Sequence, residues 1–372
     1  MGADENNNTE NLKSLPLEDL HKAANARFGG FAGWSMPITY PLGVMKEHLH
    51  TRELAGLFDI SHMQLFDVSG AGAAALLSRA CPLDAASLPV GQSKYTFFLD
   101  EKAGILDDLI VTRLGEDRFM VVANAGNAAA DEAHLRAVAK GYDCRIDALD
   151  RVFLAIQGPE AADVLHTAGL AGTELPFMNG FEPRPGWFMS RSGYTGEDGF
   201  EIGLPEADAR ELVTTLLADE RVEWVGLAAR DSLRLEAGLC LHGHDITPEI
   251  DPVDAGLTWA IPKPVREKAG FIGAKALLDK ITKGPTRKRV GLKPDSRQPV
   301  RSDSILVDIN GNAVGVVTSG GFGPSAGFPV AMGYIGKDFA PIGSHVFAEV
   351  RGNRIALHVH SLPFTPHRYH KG

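Results

Sequence analysis

The stretch from Gly104 to Asn124 constrains this chain most: G-I-L-D-D-L-I-V-T-R-L-G-E-D-R-F-M-V-V-A-N. Two apolar strand-like runs flank a Gly-Glu-Asp turn, the signature of a hairpin. Side chains alternate faces along a strand. Ile105, Asp107, Leu109 and Val111 therefore share one face, and Leu106, Asp108, Ile110 and Thr112 share the other. Each face is apolar apart from its aspartate, which predicts a strand buried on both sides. A carboxylate there needs a partner or shifts its pKa. Two readings follow: an aspartate that caps or pairs at a strand end, or a carboxylate aimed into a pocket.

The rest of the chain mixes hairpins and amphipathic helices without the regular strand–helix alternation of a doubly wound sheet, so the fold class is α+β. Helices are expected over Leu15–Ala26, Val44–Leu57, Ala71–Ala80, Asn127–Lys140, Pro159–His166, Glu206–Asp219, Gly226–Leu239 and Phe271–Thr282. The run Phe28–Pro41 alternates Gly, Pro and aromatic residues and reads as an ordered loop with little regular structure. Glycines 193, 196 and 199 punctuate a tight connection between two strands. A strand rather than a helix follows them, so a dinucleotide-phosphate loop is not indicated. Beyond the basic junction at Lys283 the pattern turns to short strands with Asn310-Gly311 and Gly352-Asn353 turns, which predicts a small all-β barrel or sandwich. The expected division is a polar, disordered tail over 1–12, a main region over 13–283 and a β domain over 284–372.

Several function classes fall away. The net charge of −10 argues against a general nucleic-acid binder. No apolar run approaches the ~20 residues of a membrane span, and the polar, acidic N-terminus carries no targeting signature. The three cysteines form no C-x-x-C, which fits a reducing cytoplasm rather than a disulfide framework. His242-Gly-His244 has the form of a metal-binding H-x-H but no accompanying ligand set, so no metal is expected. Arg230 and Arg234 share a helix face, and the simplest reading makes them surface residues braced by Asp231 and Glu236.

Seven pieces stand in a telling order: F-A-G-W-S-M-P near Trp34, G-L-F-D-I-S-H-M at Gly56–Met63, G-I-L-D-D-L-I-V at Gly104–Val111, Q-G-P at Gln157, G-Y-T-G-E-D-G-F-E-I at Gly193–Ile202, G-L-A-A-R-D-S-L-R-L-E-A-G-L at Gly226–Leu239, and V-T-S-G-G-F-G-P-S near Ser319. Together they resemble the glycine cleavage system T-protein family, aminomethyltransferases that use tetrahydrofolate. The resemblance runs from about Leu15 to Tyr369. It implies three lobes around a central folate site: a mixed lobe of discontinuous chain, a ferredoxin-like lobe and a C-terminal β-barrel.

By that resemblance the catalytic residue is the second aspartate of D-D-L-I-V, Asp108, which alternation alone does not choose over Asp107. The pterin-holding glutamate corresponds to Glu201 and the arginine of A-R-D to Arg230. Tyr95, Asn124 and Tyr194 correspond to further folate contacts, and Met63 and Ile110 to apolar wall positions. The implied partner is the lipoylated H-protein, whose lipoyl arm carries the aminomethyl group. Three places depart from the family pattern. His242 replaces the tyrosine of an L-Y-G run, the first helix lacks the tyrosine after L-P-L, and the tail around Tyr369 matches loosely.

These residue types suit the implied chemistry. A carboxylate such as Glu201 accepts the adjacent N–H groups of a pterin together. Tyrosines offer stacking area and one hydrogen bond, and Arg230 a planar, permanently charged fork. Asp108 can accept a proton or stabilise an iminium-like cation. Two relatives compete with this reading. A folate-dependent demethylase would bring a flavin-binding region, of which the chain shows no fingerprint. A non-catalytic folate-binding protein of iron–sulfur assembly would carry K-G-C-Y where this chain has S-R-S-G-Y-T-G-E-D-G.

Overall fold

The computed structural model describes residues 12–372; the tail expected over 1–12 falls, apart from Leu12, outside the described residues. Two larger sheets, a small three-stranded one and a closed barrel organise the described residues. The larger sheet has six strands in the order Asn179–Phe181, Phe188–Arg191, Gly199–Leu204, Val152–Gln157, Ala55–Asp59 and Val222–Trp224. Its strands come from distant parts of the chain, so this lobe is discontinuous. The four central strands, Phe188–Arg191, Gly199–Leu204, Val152–Gln157 and Ala55–Asp59, are buried throughout. One face packs on helices Ala161–Thr167 and Glu206–Leu217 through Leu154, Ile156, Val164, Leu165, Leu212 and Leu216.

The segment between Asp59 and Val152 forms the second sheet. Its five strands, all antiparallel, run Ser93–Leu99, Ile105–Gly115, Arg118–Ala123, Gln64–Ser69 and Arg145–Leu149. Helices Ala73–Ala80 and Ala128–Val138 cover one face. The first helix buries Ala73, Leu76, Leu77 and Ala80, the i, i+3, i+4, i+7 stripe of an amphipathic helix. Each leucine there contributes ~2–5 kcal/mol against truncation to alanine.

The two sheets meet in a shared core. Phe58, Phe153 and Phe188 from the larger sheet pack with Leu65, Met120 and Val122 from the smaller, and with Ala229 and Leu233 of the helix Leu227–Glu236. The C-terminal strands Arg287–Pro294, Phe328–Gly336, Ala313–Gly323, Ile305–Val307, His345–Val350 and Asn353–His360 close into a barrel. The barrel joins the rest through Tyr334, which packs with Phe97, Leu99, Ile105, Phe271 and Leu277. The α+β, three-lobed architecture expected from the sequence is present. Among the described residues no helix is long and apolar enough to cross a membrane.

Several local expectations are corrected. Phe28–Pro41 is not irregular: Arg27–Phe31 and Trp34–Thr39 pair as antiparallel strands, with Gly33 at φ +80 in the turn. Glycine and proline suppress strand propensity, yet both are tolerated in so short a ribbon. The helix starting at Val44 stops at Glu53, and Ala55–Asp59 becomes the strand beside Val152–Gln157. An apolar run of that length is compatible with either element, and here tertiary pairing decides. The strand Ile105–Gly115 is buried on both faces only in part. Ile105, Asp107, Leu109 and Val111 are buried, whereas Leu106, Asp108 and Ile110 are half-buried. Arg230 and Arg234 are not surface residues; both are buried.

Candidate active site

The half-buried face of Ile105–Gly115 forms one end of the candidate site. Tyr95 stands opposite Ile110, and Phe97 opposite Asp108, in the antiparallel register. Tyr95 and Asp108 are therefore diagonal neighbours on one face, within reach of a long side chain. The Tyr95 hydroxyl donates to Asp108 Oδ2 at 2.9 Å. Asn124, just past the strand Arg118–Ala123, donates from Nδ2 to Asp108 Oδ1 at 2.9 Å. Burial, and then the charge of Asp107, push the Asp108 carboxyl up to about 6, against the opposing pull of the Tyr95 hydrogen bond. Burial beside the same carboxylate holds the Tyr95 phenol well above its usual range.

Asp107 points through the opposite face. Its oxygens accept from the Asn124 backbone N–H at 3.1 Å, from Asn124 Nδ2 at 2.9 Å and from Asn127 Nδ2 at 2.7 Å. Asp107 is thus the fully buried aspartate, held by amides, and Asp108 the half-buried one, held by Tyr95 and Asn124.

The second end of the site lies on the larger sheet. Gln157 sets it up: it donates to the Ser192 carbonyl at 2.9 Å and accepts from Thr195 at 2.8 Å, pinning the loop between the strands Phe188–Arg191 and Gly199–Leu204. A Cβ at Gly193 would collide with that amide, so only glycine lets the loop close over it. The loop presents Tyr194, whose hydroxyl donates to the Cys240 carbonyl. Glu201 sits opposite Ala155 and Ser190 in the sheet and accepts from Ser192 at 2.6 Å.

Arg230 comes from the first turns of Leu227–Glu236. Its guanidinium lies 5.0 Å from the Tyr194 ring and 6.0 Å from the Phe58 ring, within cation–π range. Its Nη1 is buried without a hydrogen-bond partner. Burial draws this guanidinium down, and the Glu201 charge partly restores it.

The two ends converge. The Tyr194 phenol is raised chiefly by burial, and the Asp108 carboxylate adds to it; Tyr95 in turn responds to Tyr194. Cys240 lies between them: its carbonyl accepts from Tyr194, Tyr95 packs against its cluster, and Arg230, beside Tyr194, carries the site on toward Glu201. Ile110 shares the Tyr95–Asp108 face. Met63 packs against the cluster that includes Phe58, the ring near Arg230. Tyr369, in the loosely matching tail, stacks on Phe177 with centroids 4.0 Å apart.

Other residues surround these. Trp259, 69% exposed, stacks on Tyr95 at 5.8 Å. His62 is buried against Phe31 with Nδ1 unpartnered, and burial, helped by the Arg230 charge, pushes its imidazole down to about 3. His242 accepts from Asn127 at 2.9 Å. Among the described residues no group of three or more His, Cys, Asp or Glu is placed to hold a metal ion. Asp245 of the same run is structural: it binds Arg234 at 2.6 Å and Ser319 at 2.9 Å, tying the Arg230 helix to the barrel.

Comparison with known proteins identifies the family. Residues 17–264 match the GCVT N-terminal domain, and residues 287–365 the glycine cleavage T-protein C-terminal barrel domain. The chain belongs to the glycine cleavage T-protein family, the aminomethyltransferases. The mitochondrial aminomethyltransferase of Gallus gallus is 41% identical, over 97% of this chain and 94% of its own. That of Pisum sativum is 40% identical, over 97% and 91%. The crystal structure of glycine cleavage system aminomethyltransferase T from Bartonella henselae is 65% identical. It covers 97% of this chain and 100% of its own, with a TM-score of 0.96.

Proposed function

We propose that this chain moves the one-carbon unit of an aminomethyl group from the lipoyl arm of an H-protein to tetrahydrofolate. The products are methylene-tetrahydrofolate, ammonia and the dihydrolipoyl arm. The observation that carries the reading is the convergence of Asp108, with a carboxyl near neutrality, on the same region as Glu201 and the unpartnered Nη1 of Arg230. A buried guanidinium N–H without an acceptor costs ~1–3 kcal/mol or more, and an oxygen-rich co-substrate would supply that acceptor.

In this reading Glu201 and Arg230 hold the pterin end, while Tyr95, Tyr194, Met63 and Ile110 supply the walls. Asn124 keeps Asp108 oriented. Tetrahydrofolate supplies the nucleophilic nitrogen. Asp108, ionised above pH 6, takes up a proton or stabilises positive charge as ammonia leaves. Holding two large substrates in one cleft removes much of the entropic cost of their meeting. The folate region is taken as 13–283 and the barrel as 284–372, and no metal is required. The three cysteines are free thiols, which supports a reducing compartment such as the cytoplasm.

The test mixes the protein with aminomethylated H-protein and tetrahydrofolate and measures ammonia and methylene-tetrahydrofolate. Stoichiometric formation of both is expected. Tetrahydrofolate binding with no turnover of that carrier would reject the transfer reading.

A further inference from the structure

Behind Asp108 the smaller sheet encloses a second carboxyl site. Asp107 and Asp131 are 0% and 2% exposed. Asp131 projects from the helix Ala128–Val138 on the face of Leu135, which packs with Leu109 and Val111 on the Asp107 side of the strand, so the two buried carboxyls face each other between helix and sheet. Ionised carboxylates only accept, so a hydrogen bond between two carboxyls requires a proton on one of them. Asp107 already accepts from the amides of Asn124 and Asn127, so its oxygens are engaged as acceptors. Asp131 has none of these: its Oδ2 is buried without a donor. The shared proton therefore belongs to Asp131.

We infer that Asp131 is a positioning residue, which keeps its carboxylic proton at working pH and donates it to Asp107, fixing the charge and orientation of the aspartate directly behind Asp108. The surrounding charges agree. Asp107 faces Asp131 from the strand Ile105–Gly115, with the Asp108 charge beyond it on the other face; Cys81 stands at the end of the helix Ala73–Ala80, and His134 lies on Asp131's own helix. His242 stands 3.8 Å from Asp107 on the far side. Burial and the two neighbouring carboxylates push Asp131 up to about 10. The negative charge kept on Asp107 in turn raises Asp108, so the buried pair acts on the reacting group through one intervening residue.

The first arm of the test is infrared difference spectroscopy of the free protein carrying [13C]aspartate, and it does not depend on the proposed reaction. At pH 8 the wild type should show the C=O stretch of an un-ionised carboxyl. Asp131→Asn, whose amide still donates to Asp107, should lose that band and keep its near-ultraviolet circular dichroism. Absence of the band in the wild type, or its persistence in Asp131→Asn, overturns the inference even if Asp131→Ala fails to fold. The second arm rests on the proposed function and follows the acid limb of turnover. Asp131→Asn should keep it in place. Asp131→Ala, which leaves the ionised Asp107–Asp108 pair short of a donor, should move it up by about 1 pH unit. Equal displacement in both variants overturns the positioning role. Failure of aminomethyl transfer in the wild type would leave the infrared result standing, so the two proposals fail separately.

Discussion

Asp107 and Asp108 are neighbours in the chain but face opposite sides of one strand, the first fully buried among amides and the second half-buried beside Tyr95. Two residues of identical chemistry thus acquire different tasks from the strand's two-residue period alone.

Substitution separates those tasks. Asp108→Asn keeps the size and removes the charge and proton acceptor, so turnover should fall ~100-fold or more with tetrahydrofolate binding nearly unchanged. Asp107→Asn should lower stability by about 1–3 kcal/mol and affect turnover per folded molecule much less. Kinetics and thermal melts on both variants decide; a stably folded but inactive Asp107→Asn would reverse the assignment.

Tyr95→Phe removes the hydroxyl that stabilises ionised Asp108 while leaving a ring to stack on Trp259. Loss of that donor raises the Asp108 pKa above about 6. The acid limb of the rate profile should move upward by roughly 0.5–1 unit. Turnover should therefore fall most near pH 6 and recover toward pH 8. An unmoved limb would mean that the limb reports some group other than Asp108.

Glu201→Gln exchanges a charged acceptor for a neutral one while Ser192 can still donate to it. Charge-assisted hydrogen bonds contribute ~1.5–3 kcal/mol, so the tetrahydrofolate Kd should rise ~10–100-fold. Turnover at saturating folate should change little, because the loss falls equally on ground and transition states. Isothermal titration and steady-state kinetics together check this; a large loss of turnover with unchanged affinity would contradict a holding role.

Glu236 supplies a prediction in pH. It is fully buried and accepts from His48 at 3.1 Å, Arg52 at 3.2 Å and the backbone N–H groups of Ser325 and Ala326. Burial alone would raise its carboxyl, but these partners win and hold it at about 2. An acid with a depressed folded pKa stabilises the fold above its unfolded value, here 4.5, and that stability is lost as pH falls toward 2. Wild-type stability should therefore drop through that window. Glu236→Gln should cost ~3–5 kcal/mol at neutral pH and flatten the pH dependence. Urea titrations between pH 2 and 7 test it, and parallel curves for the two proteins would reject it.

Much of this molecule is legible in its sequence. Alternation along Ile105–Val111 separates the two aspartates, and the short strands after Lys283 mark the barrel. Ordered motifs point to Glu201 and Arg230. What local patterns do not carry are pairings between residues remote in the chain. Asp131 meets Asp107 only because its helix packs on that sheet. His242 reaches Asn127 over a separation of 115 residues, and nothing in local spacing encodes either approach. The hairpin Arg27–Thr39 is hidden for the opposite reason: its local composition disfavours a strand, and pairing overrides that preference.

The discontinuous sheet has a consequence during synthesis. The strand Ala55–Asp59 is flanked by Val152–Gln157 on one side and Val222–Trp224 on the other. Both neighbours leave the ribosome long after it does. At ~5–20 residues per second the strand waits for many seconds with both edges open, a template for pairing with other chains. The segment between Asp59 and Val152, whose five strands pair only among themselves, can complete its own core during that interval. Nascent chains stalled before residue 152 should therefore hold a folded middle and an aggregation-prone beginning.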